Sequence, residues 1–115
     1  MTLRSRALPA LAATALLVAV GAGATRAQAP KAVDAAALYK SKCQACHLAT
    51  GDNKNANMSF TDGVWHHGSS VKEVAGVIRN GVKGTLMQPF KNKLTDPEIE
   101  ALARYVRAFD PSLKD

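Results

Sequence analysis

Residues 43–47 read Cys43-Gln44-Ala45-Cys46-His47, a C-x-x-C-H run in a chain of 115 residues that has no other cysteine. The spacing has a geometric consequence. On a helix, positions i, i+3 and i+4 share one face, so Cys43, Cys46 and His47 project together. Two thiols held in this way can add across the two vinyl groups of a haem while the imidazole reaches the iron, and C-x-x-C-H reads as a c-type haem attachment site. Three other readings compete. A thioredoxin-like redox pair belongs in a βαβ setting, and no stretch here alternates with period two for long enough to be a strand. A zinc site needs four ligands, whereas two cysteines and the adjacent pair His66-His67 do not have the usual spacing. A disulfide across C-x-x-C closes a tiny loop, stabilises little, and leaves the position of His47 unexplained.

Outward from this run the chain carries three helical patterns. The first starts after Asp34, a natural N-cap, and runs through Ala35-Ala36-Ala37-Leu38-Tyr39 into the cysteine region. The second starts at Ser70, which with Glu73 makes a capping box; Val71, Val74, Ala75 and Ile78 recur at helical spacing, and Gly81 is suited to end it. The third starts at Thr95, paired with Glu98 in a second capping box, with Pro97 tolerated in the first turn. Its apolar stripe is Ile99, Leu102, Ala103, Val106 and Phe109, and Asp110-Pro111 is expected to stop it. The fold class is therefore all-α: three main helices joined by two long connections, 48–69 and 82–94, with a short helical turn expected within 61–67. Connections of this length are uncommon in a small domain unless they do a job. Only six aromatic residues are available to fill the core, so volume is left for a bound group.

The leading residues have a different character. Arg4 and Arg6 precede an uncharged run, Ala7 to Thr25, rich in Ala, Leu and Val. This is the pattern of an export signal. Cleavage after Ala27 is expected; a cut after Ala29 would leave Pro30 at the new terminus. An uncleaved anchor is the competing reading, since the run is long enough to span a bilayer, but Pro9, Gly21 and Gly23 interrupt it. The expected division is a signal peptide over 1–27 and one domain over 28–115, with a periplasmic location and no membrane span after cleavage. The full chain has 15 Lys+Arg against 9 Asp+Glu, a formal +6. Three of the basic residues, Arg4, Arg6 and Arg26, lie in the leader, so the domain itself is about +3. A two-domain enzyme, a long-groove nucleic-acid binder, a polytopic membrane protein and a disulfide-dense scaffold are excluded by size and cysteine count.

A sixth iron ligand has four candidates: Met58, Met87, His66 and His67. Met87 lies on the connection between the second and third helices, between the glycines 81 and 84 and Pro89-Phe90, where the loop can cover the haem face opposite His47. Met58, eleven residues past His47, is within reach but sits in a less rigid context. His66 and His67 flank Trp65 and read more simply as surface residues. Trp65, Phe60, Tyr39 and Phe90 are candidate crevice residues, while Tyr105 and Phe109 read as helix–helix packing.

These pieces together resemble the class I monohaem c-type cytochromes, small bacterial c5/c6-like and oxidase-associated domains among them. The resemblance covers residues 33–109. It rests on Leu38-Tyr39 before Cys43-x-x-Cys46-His47, on Gly81-Val82-Lys83-Gly84-Thr85-Leu86-Met87, and on Leu94-Thr95-Asp96-x-Glu98-Ile99 leading into Tyr105-Val106. One departure is Gln88, where many relatives have the proline that here comes one residue later. The resemblance implies terminal helices that cross, loops enclosing one haem, covalent attachment at Cys43 and Cys46, axial ligation by His47 and Met87, and electron transfer as the function.

Methionine–histidine ligation raises the reduction potential and leaves no open position for a substrate. The expected protein is thus a monomeric electron carrier and not an enzyme. Two alternatives are a haem c subunit of a larger oxidoreductase and a small haem peroxidase or sensor. Residues 79–93 contain Arg79, Lys83, Lys91 and Lys93 and no acid, so the redox partner is expected to offer an acidic docking surface. Lys40 and Lys42, just before the cysteine pair, are candidates to border the same haem edge, whereas Asp96, Glu98 and Glu100 make the third helix acidic.

Overall fold

The computed structural model of the chain describes residue 23 and residues 29–114. The export signal read over 1–27 lies outside the described residues apart from Gly23. The described residues form four α-helices, α1 (Ala35–Lys42), α2 (Gln44–His47), α3 (Val71–Asn80) and α4 (Asp96–Arg107), with a 3₁₀ turn at Ala56–Met58. No strand occurs among the described residues. The structure is all-α, as expected, with long loops between the helices.

Local chemistry accounts for the helix starts. The Asp34 carboxylate accepts from the Ala37 amide at 2.9 Å. Both capping boxes form. Ser70 Oγ accepts from Glu73 N at 3.2 Å while Glu73 Oε2 accepts from Ser70 N at 3.0 Å; Thr95 and Glu98 repeat the exchange on α4. Each box satisfies two amides that the first turn leaves without partners. The bonds hold both carboxyls below the ordinary glutamate range, the Ser70 hydroxyl being the main cause for Glu73 and the Thr95 amide for Glu98. A depressed folded pKa stabilises above the unfolded value, about 4.3 for glutamate, and that contribution disappears as pH falls through the lower folded value. Urea midpoints are therefore expected to fall between pH 5 and pH 3. Ser70→Ala with Thr95→Ala should lower the midpoint at neutral pH and flatten this acid-side slope; an unchanged slope would contradict the assignment.

The first helix ends at the cysteine region, as read, handing over at Cys43, which ends α1 and starts α2. Two other details differ from the sequence expectation. The α-helical part of α4 stops at Arg107, three residues before Asp110. There the ladder tightens, with Phe109 N bonding Val106 O and Asp110 N bonding Arg107 O, the short-pitch form in which helices often finish. The helical turn expected within 61–67 is not a helix; a single hydrogen-bonded turn closes there, Gly68 N bonding Trp65 O at 3.2 Å. The Asp62 carboxylate accepts from Val64 N at 3.0 Å, and such a side-chain bond competes with a helical one. The short helical turn appears instead at Ala56–Met58, where the Asn55 side chain caps it.

Packing then joins the two ends of the domain. α4 contacts both α1 and α3. Its Ile99, Leu102, Ala103 and Val106 are buried with Val74, Ala75 and Ile78 of α3, Tyr39 of α1 and Leu94. The Tyr39 ring lies 5.2 Å from both Tyr105 and Phe109. Phe109 is held against the 48–69 loop at Gly51, whose φ is +68° and where a Cβ would come within 2.7 Å of the phenyl ring. Tyr105 and Phe109 thus pack between helices as read from sequence, and Phe109 also backs the loop.

Candidate functional site

The C-x-x-C-H run is formed by the handover from α1 to α2. Cys43 N bonds Tyr39 O at 2.9 Å, and the amides of Cys46 and His47 both bond Cys43 O, at 3.1 and 3.0 Å. The helical path is kept across the joint, so Cys43, Cys46 and His47 lie on one face at i, i+3 and i+4. The chain turns out sharply after His47. Leu48 has φ 62° and ψ 164°, a region that side-chain-bearing residues rarely occupy and that costs about 1–3 kcal/mol. Its carbonyl is held by the Tyr39 hydroxyl, which donates at 2.7 Å. Burial, with smaller contributions from Cys43 and Tyr105, pushes the Tyr39 hydroxyl up to about 12. It remains a donor throughout the neutral range.

Cys43 and Cys46 are not joined by a disulfide. Burial, and then the neighbouring Cys46, pushes the Cys43 thiol up to about 11. This is opposite to the acidic thiol of a C-x-x-C redox enzyme. No three His, Cys, Asp or Glu side chains come together as a metal cluster among the described residues.

His47 is half-buried. Its Nδ1 lies 2.8 Å from the Met58 carbonyl oxygen. A carbonyl only accepts, so Nδ1 carries the proton and Nε2 keeps a free lone pair. Burial lowers the imidazole pKa and outweighs the opposing effect of the Met58 bond. The ring is thus neutral at pH 7, with its tautomer fixed and Nε2 ready to ligate. Phe60 stacks on it at 4.4 Å with 19° between the planes. These residues fit a haem held through two thiols and one neutral imidazole.

The four candidates for a sixth ligand separate in the structure. Met87 is half-buried and packs against the same core as Cys43. Its loop is tightly drawn: Val82 N bonds Met87 O at 3.0 Å, and Phe90 N bonds Ile78 O at 3.0 Å. The loop crosses directly over Gly81, whose φ is +66° and where a Cβ would stand 2.5 Å from the Met87 carbonyl oxygen. Met58 has another task. Its carbonyl engages the protonated nitrogen of His47. His66 and His67 are exposed on the turn that ends at Gly68.

Among the candidate crevice residues, Phe60 and Trp65 gather beside His47, Tyr39 is core, and Phe90 packs on the core with Lys93 Nζ 5.5 Å from its ring centre. Sequence reasoning missed the Met58 carbonyl, because a backbone acceptor has no residue signature. It also missed the bond from Trp65 Nε1 to Asp110 at 2.9 Å, made across 45 positions. The basic stretch is smaller than its sequence suggests. Arg79 binds Asp96 through Nε at 3.0 Å and Nη2 at 2.8 Å, which leaves Lys83, Lys91 and Lys93 as the exposed bases of the stretch; Leu86, on the same connection, is 90% exposed.

The family model described as cytochrome C oxidase, cbb3-type, subunit III, matches residues 30–106. Among solved structures, the KustC0563 c-type cytochrome is similar, with a TM-score of 0.59 and 31% sequence identity over 68% of this chain and 99% of that one.

Proposed function

Because this chain belongs to the cbb3-type cytochrome c oxidase subunit III family, a family of c-type cytochrome domains with covalently bound haem c, we propose that it is a monomeric periplasmic electron carrier. Cys43 and Cys46 would hold the haem through two thioethers, each thiol adding its S–H across one vinyl group. His47 Nε2 and Met87 Sδ would hold its iron. When bound, the haem supplies a one-electron ferric–ferrous couple. The observation that carries this reading is the His47 ring, oriented by the Met58 carbonyl beside the two cysteines on one helical path. Phe60 and Trp65 would shield the ring, and an iron held by both His47 and Met87 would leave no position for a substrate. Export of residues 28–115 after removal of 1–27 is part of the same proposal. No helix among the described residues is long and apolar enough to cross a membrane.

Lys83, Lys91 and Lys93, exposed on the connection that also exposes Leu86, suit an acidic redox partner. Charge at a rim raises the encounter rate more than the affinity. The bimolecular electron-transfer rate with the native partner is expected to fall steeply from low to physiological salt, as screening shortens the charge reach to about 8 Å. Lys83→Glu with Lys91→Glu should flatten or invert that dependence, within the roughly 10- to 1,000-fold range of electrostatic steering. A rate indifferent to both changes would make the contact apolar.

A second reading, a haem-bearing subunit of a larger oxidoreductase, is favoured by the family's own description. Pull-down from native periplasm with redox difference spectra tests both: a free, reversibly reduced protein supports the carrier, and stoichiometric copurification supports the subunit. Rapid binding of carbon monoxide by the reduced protein would point instead to a peroxidase or sensor.

A further inference from the structure

A line of near-parallel rings leads from His47 to the C-terminal end of α4. Phe60 faces His47 at 4.4 Å. Trp65 lies behind Phe60 at 5.7 Å and 17°, and Phe109 flanks it at 6.3 Å and 10°. The indole is anchored in turn, Trp65 Nε1 donating to Asp110 Oδ2 at 2.9 Å. Asp110 is 3% exposed. Its other oxygen accepts from Ser112 Oγ at 2.6 Å and Ser112 N at 2.9 Å, so the carboxylate itself cannot swing. The Ser112 hydroxyl first, and the indole next, hold this carboxyl below its usual range, and the indole bond is charge-assisted at neutral pH. The loop needs such an anchor: Gly63 and Gly68, on either side of Trp65, both have positive φ.

The bond from His47 Nδ1 to the Met58 carbonyl pins one atom of the imidazole and leaves its plane free to tilt. The Phe60 face removes that freedom. We propose that Asp110, Trp65 and Phe60 are positioning residues that set the plane of the His47 ring, the Trp65–Asp110 bond holding Phe60 against the imidazole. The proposal rests on His47 as the iron ligand. Partners of a ligating histidine fix its orientation and tune the metal, and here the control would come from a residue 63 positions away.

The test is the proton NMR spectrum of the ferric holoprotein, in which the order of the hyperfine-shifted haem methyl signals reports the plane of the axial imidazole. Trp65→Phe keeps a ring and every charge but loses the hydrogen bond. Asp110→Asn keeps the shape and loses the charge. Both are expected to redistribute the methyl shifts in the same direction, and the double variant no further than either alone. Phe60→Leu should cause the larger change. Asp110→Asn also moves the reduction potential through its charge, which is why the shift pattern is the deciding readout. An unchanged pattern in Trp65→Phe and Phe60→Leu, with wild-type far-ultraviolet circular dichroism, would overturn the proposal. If Trp65→Phe does not accumulate folded, Asp110→Asn and Phe60→Leu decide on the same criterion. A wild-type protein without low-spin ferric signals would overturn His47 ligation itself.

Discussion

Met87→Ala is expected to remove the ferric charge-transfer band at the red end of the visible spectrum, while Met58→Ala keeps it. The band arises from a methionine sulfur on ferric iron, so only loss of the ligating sulfur abolishes it. The two residues sit in different settings. The Met58 carbonyl bonds the protonated edge of His47, and an alanine at 58 keeps that carbonyl. Met87 is half-buried, on a loop closed over Gly81. Without its sulfur the iron gains an open position, and carbon monoxide and cyanide should bind where they bind wild type slowly. The potential should drop by a sizeable part of the roughly 0.8 V range that axial ligands cover. Survival of the band in Met87→Ala and its loss in Met58→Ala would exchange the two assignments.

Cys43→Ala with Cys46→Ala should eliminate covalent haem and, with it, most of the stable fold. The wild-type protein is expected to have the mass of residues 28–115 plus one haem, retained through acid-acetone extraction. Either single variant should keep one thioether and be less stable; the double variant should release all its haem. The consequence for folding follows from the size of the core. Tyr39, Ile99 and Leu102 are its largest fully buried side chains, little for a domain of this length. A ligand present at a thousand times its Kd adds about 4 kcal/mol to a folded state, and total stabilities run only to about 5–15 kcal/mol. Circular dichroism and urea unfolding of the haem-free double variant should show reduced helix and a broad, weakly cooperative transition. A double variant as stable as wild type would mean that the helices alone fill the core.

Helix starts were legible in the sequence because a cap is a local event. Asp34, Ser70 and Thr95 act on amides two or three residues away, and Glu73 and Glu98 answer from inside the same turn. The apolar stripe of α4 was legible because burial on one face repeats with the helical period. Helix ends were read less well. At Arg107 the ladder tightens where the chain must bring Asp110 to Trp65, a demand made by a residue 45 positions earlier. The expected helical turn at 61–67 failed for a local reason, the Asp62 side chain taking the Val64 amide.

The same division runs through the site. By itself the sequence determined the pair of thiols and the imidazole on one helical face, since i, i+3 and i+4 spacing is a property of any helix. It also determined the all-α class and the chemistry of the bound group. Tertiary structure alone decided what surrounds those donors. The tautomer of His47 depends on the Met58 carbonyl, and the hold on strained Leu48 depends on the Tyr39 hydroxyl. The basic patch loses Arg79 because Asp96 is folded against it. Each of these is a contact between distant residues through atoms that most side chains share, or through charges whose partners only folding selects, and such contacts leave no periodicity or motif to be read along the chain.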